Sequence, residues 1–209
     1  IRMANHLLSL QEAIRQAHFP KDTASASEAR RRLAYDELFL IQLGVLSRKR
    51  EWQGEPGHPL KVDAGVLDSL LKALPFTLTQ AQERVLRQVL EDLRKPQPMT
   101  RLLQGEVGSG KTVIAAIALL IAVANGYQGA FMAPTEILAE QHFRTLQSLF
   151  QQFAHPVWES HFFCFYTPAN IPKPVGIGLL TGSLSPKEKK DLHWRIANGG
   201  VDIMVGTHA

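Results

Sequence analysis

Along the first seventy-five positions, apolar residues recur at helical spacing and nowhere alternate strictly with polar ones. "LSLQEAIRQAH" (8–18) predicts one helix. "SASEARRRLAYDELFLIQLGVLSRKREW" (25–52) predicts a longer one, with Leu33, Leu38, Ile41 and Val45 on one face and Ser27 as N-cap. The breaker cluster "QGEPGHP" at 53–59 predicts a loop, and a short helix over 65–73 closes this region.

From Phe76 the pattern changes. "TQAQERVLRQVLEDLRK" (79–95) places Ala81, Val85, Leu86, Val89, Leu90 and Leu93 on one helical face. There follow a strand at 99–104, a glycine loop, a helix over 111–125, a strand at 129–133 and a helix over 135–150. After an irregular stretch come a strand at 175–181, a helix over 185–197 and a strand at 201–205. Strands alternating with helices predict an α/β fold, a parallel sheet with helices on both faces. The expected organisation is a helical connector over 1–75 and a sheet domain over 76–209.

Composition narrows this only a little. The 209 residues, 45% of them apolar, are enough for one sizeable domain and an appendage. No apolar run approaches the roughly 18 residues of a membrane span, so no membrane partner is expected. The lone Cys164 excludes an internal disulfide and fits a reducing cytoplasm. A net charge of +4 is too modest to mark a nucleic-acid binder by itself. The chain opens on "IRMANHLLSL" and stops at "MVGTHA" after an apparent strand, so it is expected to be a piece of a longer protein.

The chemistry lies in "GEVGSGKT": Gly105, Glu106, Val107, Gly108, Ser109, Gly110, Lys111 and Thr112 match G-x-x-x-x-G-K-[ST] in full. Glycines let the backbone fold round phosphates with its N–H groups inward, and the following helix adds its positive end. Lys111 would reach the β- and γ-phosphates, and the Thr112 hydroxyl would ligate Mg²⁺. Upstream, Phe76, Thr79 and Gln82 make an F-x-x-T-x-x-Q spacing. A Gln amide pairs bidentately with the N6/N7 edge of adenine, which would select ATP. The plainer alternative is that Thr79 only N-caps the helix and Gln82 lies on its exposed face.

Three later strand ends carry small polar residues: "APTEILAEQH" (133–142), "LTGSLSP" (180–186) and "VGTHA" (205–209). Ligands of an open parallel sheet sit at the carboxyl ends of its strands, and such hydroxyls and amides suit backbone phosphates. Thr135 and Ser185 are equally good N-caps.

"LPFTLTQAQ", "RLLQGEVGSGKT", "MAPTEILAEQH", "LLTGS" and "IMVGTHA" occur in the order found in superfamily 2 helicases, and the chain resembles the RecG type most closely. "AHFPKDTASASEARRRLAYDELFLIQL" resembles the connector that joins the DNA-reading domain of that family to its motor. The motor motifs alone would also fit transcription–repair coupling factor. The resemblance implies a RecA-like motor domain with ATP and Mg²⁺ at Gln82 and the phosphate loop. It implies DNA contacts at Pro134, Thr135 and Glu136, at Thr181 and Gly182, and at Gly206, Thr207 and His208. It further implies branched or forked DNA as partner, a bacterial cytoplasmic setting, a monomer, a second motor domain and an N-terminal DNA-reading domain.

One segment departs from that family. "FAHPVWESHFFCFYTPANIPKP" (153–174) is longer than the family's link; its prolines 156, 168, 172 and 174 predict a surface excursion that leaves the sheet unaltered. Its six aromatics either stack on exposed bases or bury themselves locally. Trp52 and Trp194 are read as packing residues, and the basic runs 30–32 and 48–50 as solvated helix faces. No apolar strand ends in an acidic pair, which hydrolysis in this class needs beside arginines of a second domain. The chain alone is therefore expected to bind ATP without hydrolysing it. A non-motor ATP-dependent switch and a small-molecule kinase are the rival classes; the strand ends speak against the first, and the kinase lacks a substrate lid.

Overall fold

The long helix begins earlier than its spacing predicts, because Asp22 rather than Ser27 caps it. The computed structural model describes residues 3–168, 171 and 173–208, so Pro172 and Ala209 lie outside the described residues. Residues to Pro56 form one compact unit and those from Gly57 a second.

In the first unit, α1 (Leu10–His18) is capped by Ser9 and packs on α2 (Thr23–Gly54). Asp22 and Ser25 form a reciprocal capping box at the start of α2. Ala13 and Ala29 are fully buried, small enough for the two helices to approach closely. The run 30–32 is not wholly solvated: Arg31 and Arg32 donate to the carbonyls of Asn5 and Leu8 at 3.2 and 2.9 Å. α2 continues to Gly54, through the start of the expected loop, and Trp52 is exposed rather than packed.

The second unit holds α3 (Ala64–Lys72), α4 (Gln80–Leu93), α5 (Lys111–Ala124), β1 (Gly129–Met132), α6 (Glu136–Phe150), β2 (Val157–Ser160), β3 (Phe163–Tyr166), β4 (Val175–Leu180), α7 (Pro186–Ala197) and β5 (Ile203–Gly206). Leu60 and Leu70, which sequence texture groups with the connector, pack into the core of this unit. The sheet order is β1-β5-β4-β3-β2. β1, β5 and β4 run parallel, and β3 and β2 add antiparallel.

Helices cover both faces of the sheet. Leu192 of α7 closes on Gly178, and Cys164, in register with the neighbouring Ile177, meets Gln147 of α6 on the opposite face. α5, apolar almost all round, is buried along most of its length.

Two expectations fail here. Residues 99–104 form no strand: the segment has no ladder partner among the described residues, and extended backbone without a neighbour is not a sheet. Arg101 instead ties it to α4 through Asp92 and Gln88.

The 153–174 segment is not a surface excursion. It supplies β2 and β3, and β3 lies inside the sheet between β4 and β2. The reason is apolar burial. Phe163 and Tyr166 are each 1% exposed, and burying such a ring is favourable by about 1.5–3 kcal/mol. That leaves Trp158, 48% exposed on the edge strand, as the one large exposed ring of the six.

Candidate functional site: a nucleotide cradle beside a polar sheet edge

Gly110 caps α5 in the left-handed conformation (φ 82°), and Gly108 shares that φ. Both positions favour glycine, which has no Cβ to clash there. Side chains also crowd the loop: a Cβ on Gly105 would lie 2.7 Å from Ser109 Oγ, and one on Gly110 would displace the Gln82 amide. Lys111 Nζ turns back into the loop, donating to the carbonyls of Gly105 and Glu106 at 2.9 and 2.7 Å. Glu106 and Val107 stand exposed at the loop's tip, while Thr112 is half-buried in the first turn of α5.

Gln82 caps α4 and also reaches the phosphate loop. Its Oε1 accepts from the Thr79 N–H at 2.8 Å, completing a capping box, and its Nε2 donates to the Ser109 carbonyl at 2.9 Å. The amide therefore touches the phosphate loop directly. Phe76, half-exposed, lines a groove of about 830 Å³ between α3 and α4 with Leu71, Pro75, Leu86 and Leu90.

These residues fit a nucleotide triphosphate with its metal. Gly110 needs its left-handed φ, and among the described residues Lys111 is held by neutral oxygens that a phosphate would outcompete. Among the described residues no cluster of three acidic, His or Cys side chains could hold a metal. Mg²⁺ would therefore arrive on the phosphates, with Thr112 as its ligand from this chain.

The three polar strand ends meet on one edge. The Ala133 N–H donates to the Gly206 carbonyl at 2.8 Å, and Gly206 is in register with both Met132 and Leu180. Pro134 and His208 are exposed along this edge. Thr135 accepts from the Leu138 N–H at 3.3 Å as N-cap of α6. The Glu136 carboxylate lies against Gly182, in the space a Cβ there would take. Thr181, 1% exposed, shares a hydrogen bond with Ser183 at 2.8 Å. The Thr207 Oγ1 is buried without a partner among the described residues.

Sequence reasoning missed Lys189, whose Nζ donates to the Gly182 carbonyl at 2.9 Å. A signal was available: lysines in the first turns of a helix oppose its dipole.

The family model for DEAD/DEAH box helicases matches residues 79–209. The chain is 43% identical to the ATP-dependent DNA helicase RecG of Synechocystis and 42% identical to that of Bacillus subtilis, over its full length in both cases. It covers 23% and 28% of those proteins, and so spans about a quarter of the curated relatives it matches. A solved structure of RecG bound to a three-way DNA junction matches 99% of this chain and 26% of that one, at 37% identity and a TM-score of 0.77. The chain belongs to the DEAD/DEAH box helicase family.

Proposed function

We propose that this chain is the front of the first motor domain, with its connector, of a RecG-type ATP-dependent helicase that remodels branched DNA in recombination and repair. One observation carries the reading: a glycine cradle with its lysine and three converging polar strand ends occupy the same α/β unit. On this reading Gly105 to Thr112 hold the phosphates and Mg²⁺, and the hydrolysis of bound ATP supplies the energy for strand movement. Gln82 reads the base. Pro134 to Glu136, Thr181 to Gly182 and Gly206 to His208 face the DNA backbone; the unpartnered Thr207 hydroxyl is a ready donor to a phosphate oxygen. A monomer with a second motor domain and an N-terminal DNA-reading domain, acting in the bacterial cytoplasm, completes the proposal.

The test is phosphate release by the full-length protein with and without forked DNA, followed on the same preparation by conversion of a labelled three-way junction. Turnover that ignores DNA, with an unaltered junction, would leave only the switch.

Two expected results follow from the site. Gln82→Ala removes a bidentate base contact and a tie to the phosphate loop, so ATP affinity falls by about 1–3 kcal/mol. Calorimetric titration with ATP and GTP checks it, and equal affinity of the unmodified protein for the two nucleotides would refute the base-reading role. Residues 1–209 alone are expected to bind ATP–Mg²⁺ weakly and hydrolyse it no faster than background. An arginine finger is worth on the order of 10³–10⁵ in rate, and no described strand end here carries an acidic pair to orient water. DNA-stimulated turnover by this piece would place the catalytic groups within it.

A further inference from the structure

α7 departs from the usual placement of charge on a helix. Lys187, Lys189 and Lys190 occupy its first five residues, where the helix dipole disfavours cations. Nearby carboxylates do not compensate them. Glu188 accepts from the Ser185 N–H at 2.7 Å in the capping box, and Asp191 is held by Arg195 at 2.9 Å. Among the described residues none of the three lysines forms an ion pair.

A second observation is independent of the charge. Trp194, read from sequence as a packing residue, is 66% exposed. At 100° per residue, Lys187, Lys190 and Trp194 fall within about 60° of one another on the helix surface. An uncompensated basic face with a bare indole on it suits a ligand offering both phosphates and aromatic rings. Lys189, about 100–160° round the helix from these three, donates to the Gly182 carbonyl and so holds the start of α7 at the sheet edge.

The geometry points to the exposed face of α7, Lys187, Lys190 and Trp194, as a binding track for an unpaired DNA strand leaving the carboxyl edge of the sheet at the start of α7. The seven steps from Lys187 to Trp194 rise about 10 Å, enough for roughly three nucleotides at stacked spacing. The lysines meet phosphates, and one base stacks on the indole. The inference rests on the reading of the strand ends as the DNA-facing edge.

The experiment uses the full-length protein and fluorescence anisotropy over a salt series, with a labelled fork bearing one unpaired arm and the same fork made fully duplex. Lys187→Ala/Lys190→Ala should reduce the salt slope on the unpaired-arm fork by about 1.4, two single-strand phosphate contacts. Trp194→Ala should weaken that fork by roughly 5–150-fold, the range for one stacked base, whereas Trp194→Phe retains most of the affinity. The duplex fork should bind all variants alike, and DNA-independent ATP turnover should not change. Unaltered binding of the unpaired-arm fork, or equal weakening of both forks, overturns the track. If the unmodified protein binds neither fork, the DNA reading of the sheet edge itself fails.

Discussion

Replacing Lys111 by Ala is expected to abolish ATP turnover by the full-length protein while leaving its binding to branched DNA in place. The ammonium rests on the Gly105 and Glu106 carbonyls at 2.9 and 2.7 Å, within the loop that would hold the phosphates. Bound triphosphate would replace those neutral acceptors with charged ones, each such bond contributing about 1.5–3 kcal/mol. Two or more of them, strengthened as charge builds in the transition state, correspond to at least a ~100-fold fall in rate. Steady-state phosphate release with forked DNA measures the loss, and anisotropy on the same fork checks that binding persists. Turnover near that of the unmodified protein would remove the phosphate assignment altogether. Lys111→Arg separates charge from fit, because the planar guanidinium keeps the charge but not the shape of a point ammonium.

Removing the Asp202 carboxylate is expected to destabilise the sheet unit markedly. Asp202 is 3% exposed. One oxygen accepts from Lys173 at 2.5 Å and the other from the Gly176 N–H at 2.8 Å. Its backbone N–H donates to the Gly176 carbonyl, and its own carbonyl accepts from Gly129. The residue thus fastens the starts of β1, β4 and β5 to the end of the 153–174 segment. Alanine keeps the backbone bonds but leaves a buried N–H without a partner. Lys173 is 46% exposed and regains water, so the ion pair itself adds little. The expected loss is ~2–3 kcal/mol, mostly the orphaned amide and the remade local packing. Urea unfolding of the full-length protein, with hydrogen exchange at Gly176 and Val205 as the local readout, tests it. Asp202→Asn should lose less, since its side-chain oxygen still accepts from Gly176. Protection of Gly176 unchanged in the alanine variant would show that the clasp carries no stability.

The amino-acid order determined the parts of this protein that depend on local chemistry. Thr79, Thr135 and Ser185 were legible as N-caps because capping is satisfied within three residues. The phosphate loop was legible because the positive φ at Gly108 and Gly110 admits few residues but glycine. The parallel core strands were legible as short apolar runs between helices. Pairing across long distances in sequence was decided only in three dimensions. The same apolar texture gave a strand in β4 and none at 99–104, because a strand exists only where a neighbour takes up its backbone groups. The prolines at 156, 168 and 174 spoke for a loop, yet they flank β2 and β3 without interrupting them, and the buried rings of Phe163 and Tyr166 outweigh the turn signal. Tertiary structure alone brought Glu136 against Gly182, Gln82 against Ser109 and Lys189 onto the sheet edge, and left Trp194 bare. Side chains distant in sequence meet only once the backbone has fixed their elements, and no local pattern encodes that meeting.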